Sequence, residues 1–188
     1  MKTLAVHRWP GPTPAPKDGL FAILISTAGR QREEARRLLR WAAREALAAV
    51  LGVPVNDIDI ASAPGTPPCI VLAGRPAGIG LSFTHDDNYS LAAMNLHGPI
   101  GADIMRVQDV PDWQAVARDY LGPAIAASLL SAASPLAFIQ AWTQREAALK
   151  CHAQQLSEWQ ADLPGQSISL LLPADGLVGN IHIGDKNA

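Results

Sequence analysis

Cysteine is nearly missing from this sequence: Cys69 and Cys151 are the only two in 188 residues. They have no zinc-ligand spacing and no secretory context, so both read as free thiols in a reducing cytosol. A surplus of positive charge is missing too. Fifteen Lys and Arg stand against 17 Asp and Glu, a net charge of −2, whereas phosphate-backbone binding needs a basic excess. Nucleic acid is therefore not expected as the main partner. No apolar run approaches the ~20 residues that cross a bilayer. His7 and Arg8 interrupt the apolar N-terminal run, so no signal peptide is expected either. There is no Gly-rich phosphate loop and no Cys–His metal box, and His7, His97, His152 and His182 fall at no usable spacing. What remains is a globular chain, 48% hydrophobic and 17% charged, with ample material for a core. A cytoplasmic monomer is the expectation.

Residues 9 to 19 carry Pro10, Pro12, Pro14 and Pro16 and read as an extended loop. Phe21–Ser26 follows as a strand. Arg32–Leu51 is the clearest helix, rich in Ala, Leu, Arg and Glu and stopped by Gly52 and Pro54. Its expected buried stripe is Ala35, Leu38, Leu39, Ala42, Ala46 and Ala49, with an arginine face opposite in which Glu33 is spaced to pair with Arg37. A Pro- and Gly-dense region from 61 to 80 surrounds a short strand, Cys69–Leu72. The runs 80–85 and 89–94 flank Asp86-Asp87-Asn88 as a hairpin. After His97-Gly98-Pro99 the order starts again: a strand over 100–107, helices over 112–120, 123–132 and 135–155, and strands over 167–172 and 177–183. This restart predicts an α+β fold of two pseudo-symmetric halves, residues 1–97 and 98–188, with a cleft between them. A single undivided sheet, or a trimer with sites between chains, would overturn it.

Two segments carry chemistry. In Pro99-Ile-Gly-Ala-Asp-Ile-Met105, Asp103 stands alone among apolar strand residues. In Phe138-Ile-Gln-Ala-Trp-Thr-Gln-Arg-Glu-Ala-Ala-Leu-Lys150, the spacing of Trp142, Glu146 and Lys150 puts a carboxylate and an ammonium on one helix face. Taken singly these are ordinary features: Asp103 reads as a paired structural acid, and Glu146–Lys150 as a surface pair worth ~0.3–0.5 kcal/mol. Together, two acids and a lysine can hold a hard cation and a phosphate.

Read with Pro68-Cys69-Ile70 and Leu81-Ser-Phe-Thr-His85, these segments fall in the order of the motifs of the 4′-phosphopantetheinyl transferases, which the chain resembles over about its middle two-thirds. The larger, single-chain, two-half type is the closer likeness. The resemblance implies Mg²⁺-dependent transfer of the phosphopantetheine arm of coenzyme A to a serine of an acyl or peptidyl carrier protein. It implies Asp103 and Glu146 as metal ligands, Glu146 and Lys150 as catalytic groups, and Thr84, His85 and Lys150 as coenzyme A contacts. Arg37 or Arg40 would reach its 3′-phosphate. The chain departs from the family at four places: Met105 stands where a second strand acid is usual, Arg145 where the helix carries lysine, Pro67 where Lys-Pro is usual, and Thr84 where serine is usual. A thioether is a poor partner for a hard cation. The alternative implied by Met105 is a relative that binds coenzyme A or a carrier protein without turnover.

Overall fold

Alternation of apolar and polar residues in Thr3–Arg8, with Leu4 and Val6 inward, makes the first strand, β1. The sequence pattern predicts no element there, because His7 and Arg8 cut the apolar run short. In the computed structural model, which describes residues 2–63 and 65–184, β1 is followed by β2 (Leu20–Ser26), α1 (Arg32–Leu51), a single 3₁₀ turn (Val55–Asp57), β3 (Ile58–Ala61), β4 (Cys69–Leu72), β5 (Arg75–Pro76), β6 (Gly80–Asp86) and β7 (Tyr89–Asn95). The remainder is β8 (Ile100–Arg106), α2 (Trp113–Tyr120), α3 (Pro123–Ala132), α4 (Pro135–Cys151), β9 (Gln166–Leu171) and β10 (Leu177–Ile183). The fold is mixed α+β. Among the described residues no helix is long and apolar enough to cross a membrane.

Seven strands form one hydrogen-bonded order, β6-β7-β2-β1-β9-β10-β8, and β3-β4-β5 make a small separate sheet. The expected break in the sheet between the two halves of the chain is not there. Strand β1 closes it, pairing in parallel with β2 through Val6–Arg8 and with β9 through Thr3–Ala5. The sheet also curls until its two edges face each other. Across that seam β8 donates three backbone N–H groups to side chains of β6: Ala102 N to Ser82 Oγ (2.9 Å), Ile104 N to Thr84 Oγ1 (3.3 Å) and Arg106 N to Asp86 Oδ2 (3.0 Å).

Leu4, Ala22, Leu91, Ile104, Leu170 and Ile181 are among the residues that fill the concave side. On the convex side α1 covers Phe21, Ile23, Leu81 and Met94. Its buried stripe contains Ala35, Leu39, Ala42 and Ala46 as expected, but it takes in Ala43 and Leu47 and leaves Ala49 exposed. Helix α4 lies against β8 and β10. Gly101 permits this approach: a Cβ there would meet the Ala147 carbonyl oxygen at 1.9 Å and the Cys151 nitrogen at 2.4 Å. Buried Asn180 of β10 fixes the register of α4 by donating to Thr143 Oγ1 (2.7 Å).

Helix α4 stops at Cys151, four residues short of the length expected from sequence. Ala153 is left-handed (φ 53°), its N–H reaches the Lys150 carbonyl, and the Gln154 N–H reaches that of Leu149. This is a Schellman closure made without glycine, so the usual stop signal is absent from the sequence.

Candidate functional site

Asp103 sits at the middle of β8 on the face that α4 covers and is 8% exposed. A buried carboxylate needs donors, and it has two, from distant segments. Thr84 of β6 donates from Oγ1 to Asp103 Oδ1 at 2.9 Å, and Lys150 of α4 places Nζ 2.7 Å from the same oxygen. Thr84 thus serves twice, accepting from Ile104 N while donating to Asp103. Among the described residues, nothing hydrogen-bonds Asp103 Oδ2 or the Glu146 carboxylate.

Glu146 stands one turn before Lys150 on α4 and is half-buried. Burial raises its carboxyl above the ordinary glutamate range. Lys150 pulls it down, the Asp103 charge pushes it up, and Arg145 pulls it down. Asp103 and Glu146 are therefore within electrostatic reach of each other, with Lys150 partly neutralising both. Arg145 itself turns to the following loop and donates to the Ala161 carbonyl at 3.3 Å.

On one side of this group lies a cavity of about 520 Å³ lined by Arg30, Arg32, His85, Asp86, Met105 and Arg106, among others. His85 is exposed at its wall. Partial burial lowers its basicity first, and the charges of Arg36, Arg32 and Lys150 lower it further. Its Nδ1 lies 2.7 Å from Ser90 Oγ, which in turn lies 3.3 Å from Thr27 Oγ1. A second cavity of about 260 Å³ opens on the other side, between Pro67, Pro68, Ser82, Phe83, Lys150 and Gln154.

Neither protein-family models nor curated protein sequences match this chain.

Thr84, Asp103, Glu146 and Lys150 come together, with His85 close enough to feel Lys150. The arginines are arranged differently from the sequence expectation. Arg37 is exposed and has no hydrogen bond or ion pair among the described residues. Arg40 is engaged elsewhere: it donates to Ser62 Oγ (2.7 Å) and the Ile60 carbonyl (3.3 Å) and covers the Phe83 ring at 5.5 Å. Glu33 pairs with Arg36 at 2.8 Å, not with Arg37, because i,i+3 neighbours meet on a helix as readily as i,i+4 ones. The arginines that face the cavity are Arg30, Arg32 and Arg106, and the cations that act on His85 are Arg36, Arg32 and Lys150.

Met105 shares the Asp103 face of β8, as strand alternation requires. It is half-buried, lines the larger cavity, and packs against the cluster of Trp113, Leu129 and Phe138. Ser90 and Thr27 had no part in the sequence reading. The signal for Ser90 was the hairpin itself, whose register sets His85 opposite Ser90.

Among the described residues no group of three or more His, Cys, Asp and Glu side chains could hold a metal ion. A two-carboxylate arrangement still fits Mg²⁺, which often takes one or two protein carboxylates and completes its shell with water and substrate phosphates. Asp103 Oδ2 and the Glu146 oxygens, which have no hydrogen-bond partner among the described residues, are the ones that would hold it. The Met105 sulfur is not a suitable donor.

Proposed function

We propose that this protein is a 4′-phosphopantetheinyl transferase that moves the phosphopantetheine arm of coenzyme A onto a serine of an acyl or peptidyl carrier protein. The observation that carries the reading is the convergence on Asp103 of Thr84 and Lys150, with Glu146 in electrostatic reach. These four residues lie in three of the four segments that carry the resemblance, and a chance likeness would have no reason to bring them to one point.

β1 joins the strands into one sheet, against the divided arrangement expected, but the strand orders favour two related halves within it. β2, α1, β6 and β7 assemble as β6-β7-β2, while β8, α4, β9 and β10 assemble as β9-β10-β8, the same permutation. We read residues 1–97 and 98–188 as those halves. The active site then lies between them, with Thr84 and His85 from the first and Asp103, Glu146 and Lys150 from the second. The working form is a cytoplasmic monomer.

In the reaction the carrier serine oxygen attacks the phosphorus bearing pantetheine, a new P–O bond forms, and the bond to 3′,5′-ADP breaks. Glu146, or a water on the metal, would take the serine proton. Lys150 spends one N–H on Asp103 and keeps two for the pyrophosphate of coenzyme A, whose leaving charge it neutralises. Mg²⁺ bound by Asp103 and Glu146 would supply further charge neutralisation at that pyrophosphate. His85, Arg32 and Arg36 hold the remaining phosphate of the nucleotide.

The test is incubation with coenzyme A, Mg²⁺ and a panel of apo carrier proteins, followed by intact-mass measurement. A mass gain of one phosphopantetheine is expected. Coenzyme A binding without any gain selects the second reading, a relative without turnover, for which Met105 in place of an acid is the favouring observation. Neither binding nor gain removes both.

A further inference from the structure

The buried side of His85 contains a small counting problem. Ser90 is fully buried, so its hydroxyl has no solvent partner, while Thr27 is 4% exposed at the edge of the cavity that it lines. The three groups form a chain, Thr27 Oγ1, Ser90 Oγ, His85 Nδ1, with spacings of 3.3 and 2.7 Å. Two directions of donation are open. In the first, Thr27 donates to Ser90 and Ser90 donates to Nδ1, so every hydroxyl hydrogen has an acceptor. In the second, Nδ1–H donates to Ser90 and Ser90 donates to Thr27. The Thr27 hydrogen then has no protein acceptor among the described residues, which makes this direction the less favourable one.

We propose that Ser90, supported by Thr27, is a positioning residue for His85, its hydroxyl donating to Nδ1 so that Nε2–H faces the cavity as a fixed neutral donor for a phosphate oxygen. The ring is anchored through one nitrogen and cannot turn over without losing the shorter of the two bonds. A protonated ring would impose the unfavourable direction on the chain, and Arg32, Arg36 and Lys150 oppose that charge as well. The cavity therefore sets the guanidinium groups of Arg30, Arg32 and Arg106 and a neutral N–H against the Asp86 and Asp87 carboxylates, three cations to two anions, a set that can take a phosphate monoester. This use of the donor rests on the reading that a coenzyme A phosphate binds there; the anchoring of the ring does not.

The full-length protein is labelled with ¹⁵N-histidine, and the ring signals of His85 are assigned by their loss in His85→Gln. The expected result is a protonated Nε2 and an unprotonated, hydrogen-bonded Nδ1; a proton on Nδ1 overturns the proposal. Affinity for 3′,5′-ADP is then measured by calorimetry. Ser90→Ala should weaken it about 10-fold, the scale of one hydrogen bond, and should have no further effect in the His85→Gln background. The same loss in both backgrounds overturns the proposal, because a merely structural serine would act without the imidazole. Should Ser90→Ala unfold the protein, Ser90→Cys keeps the shape with a weak donor and replaces it in both measurements. A wild type that does not bind 3′,5′-ADP removes the coenzyme A reading, while the ring nitrogens still decide the role of Ser90.

Discussion

Lys150 Nζ lies 2.7 Å from Asp103 Oδ1, although the two residues are 47 positions apart. Asp103 comes from a strand and Lys150 from the helix laid over it, and the contact exists only because α4 runs against β8 at Gly101. Removing either partner has unequal effects. Lys150→Ala leaves a buried carboxylate with Thr84 as its one protein donor and should cost about 1–3 kcal/mol. Asp103→Asn leaves Lys150, which is part exposed, free to find water, and should cost less. Urea denaturation of both variants measures the difference, and both should lose carrier loading by at least about 100-fold.

Gly101→Ala should mimic those losses without touching a functional side chain. The added methyl would strike the backbone of α4 at Ala147 and Cys151, so the helix must shift and take Glu146 and Lys150 away from Asp103. Destabilisation of about 1–3 kcal/mol is expected, together with loss of loading. A variant of normal stability and full activity would show that α4 need not lie this close.

Met105→Glu would add a third acid on the Asp103 face. Loading at limiting Mg²⁺ should be retained or raised, whereas Asp103→Ala and Glu146→Ala should abolish it. Because Met105 also packs against the Trp113 cluster, a stability loss of about 1–2 kcal/mol should accompany the change. Loading and thermal unfolding over a range of Mg²⁺ concentrations separate the two effects.

The folded state depresses the basicity of His85, so the unfolded chain takes up the proton first as pH falls. The stabilising contribution is complete above the ordinary value of 6.5 and declines as pH drops below it towards the depressed folded value. His85→Gln removes this titration. Its unfolding free energy, measured by denaturant at steps across this window, should fall less steeply on the acid side than that of the wild type.

How far the sequence could be read depends on the range of the signal. Helix α1 begins and ends where Gly52 and the apolar stripe place it, and the hairpin of β6 and β7 follows from Asp86-Asp87-Asn88, since these signals act within a few residues. Strand β1 was missed because its six residues are held by partners far along the chain, at β2 and β9. Strand β3 shows its Ile58 and Ile60 alternation but sits beside a Pro- and Gly-dense stretch that masked it. The nearness of Asp103, Glu146 and Lys150 was expected from motif order. The direct bond from Lys150 to Asp103 was not, because it depends on how closely α4 lies on β8. That Arg32 and Arg36 act on His85 was not legible, because spacing along a helix does not reveal which side the neighbouring hairpin will occupy.

The seam between β6 and β8 has a consequence for the protein's behaviour in company. An unpaired strand edge is a template on which another chain can add, and these are the two ends of the seven-stranded order. Ser82, Thr84 and Asp86 occupy the three N–H groups that β8 would otherwise offer. Each spends a side-chain oxygen where a neighbouring chain would have brought a carbonyl. Short acceptor side chains at alternate positions of β6 thus guard the molecule against growing into a filament. One of them, Thr84, also belongs to the candidate site, so a substitution chosen to probe chemistry there would weaken that protection as well.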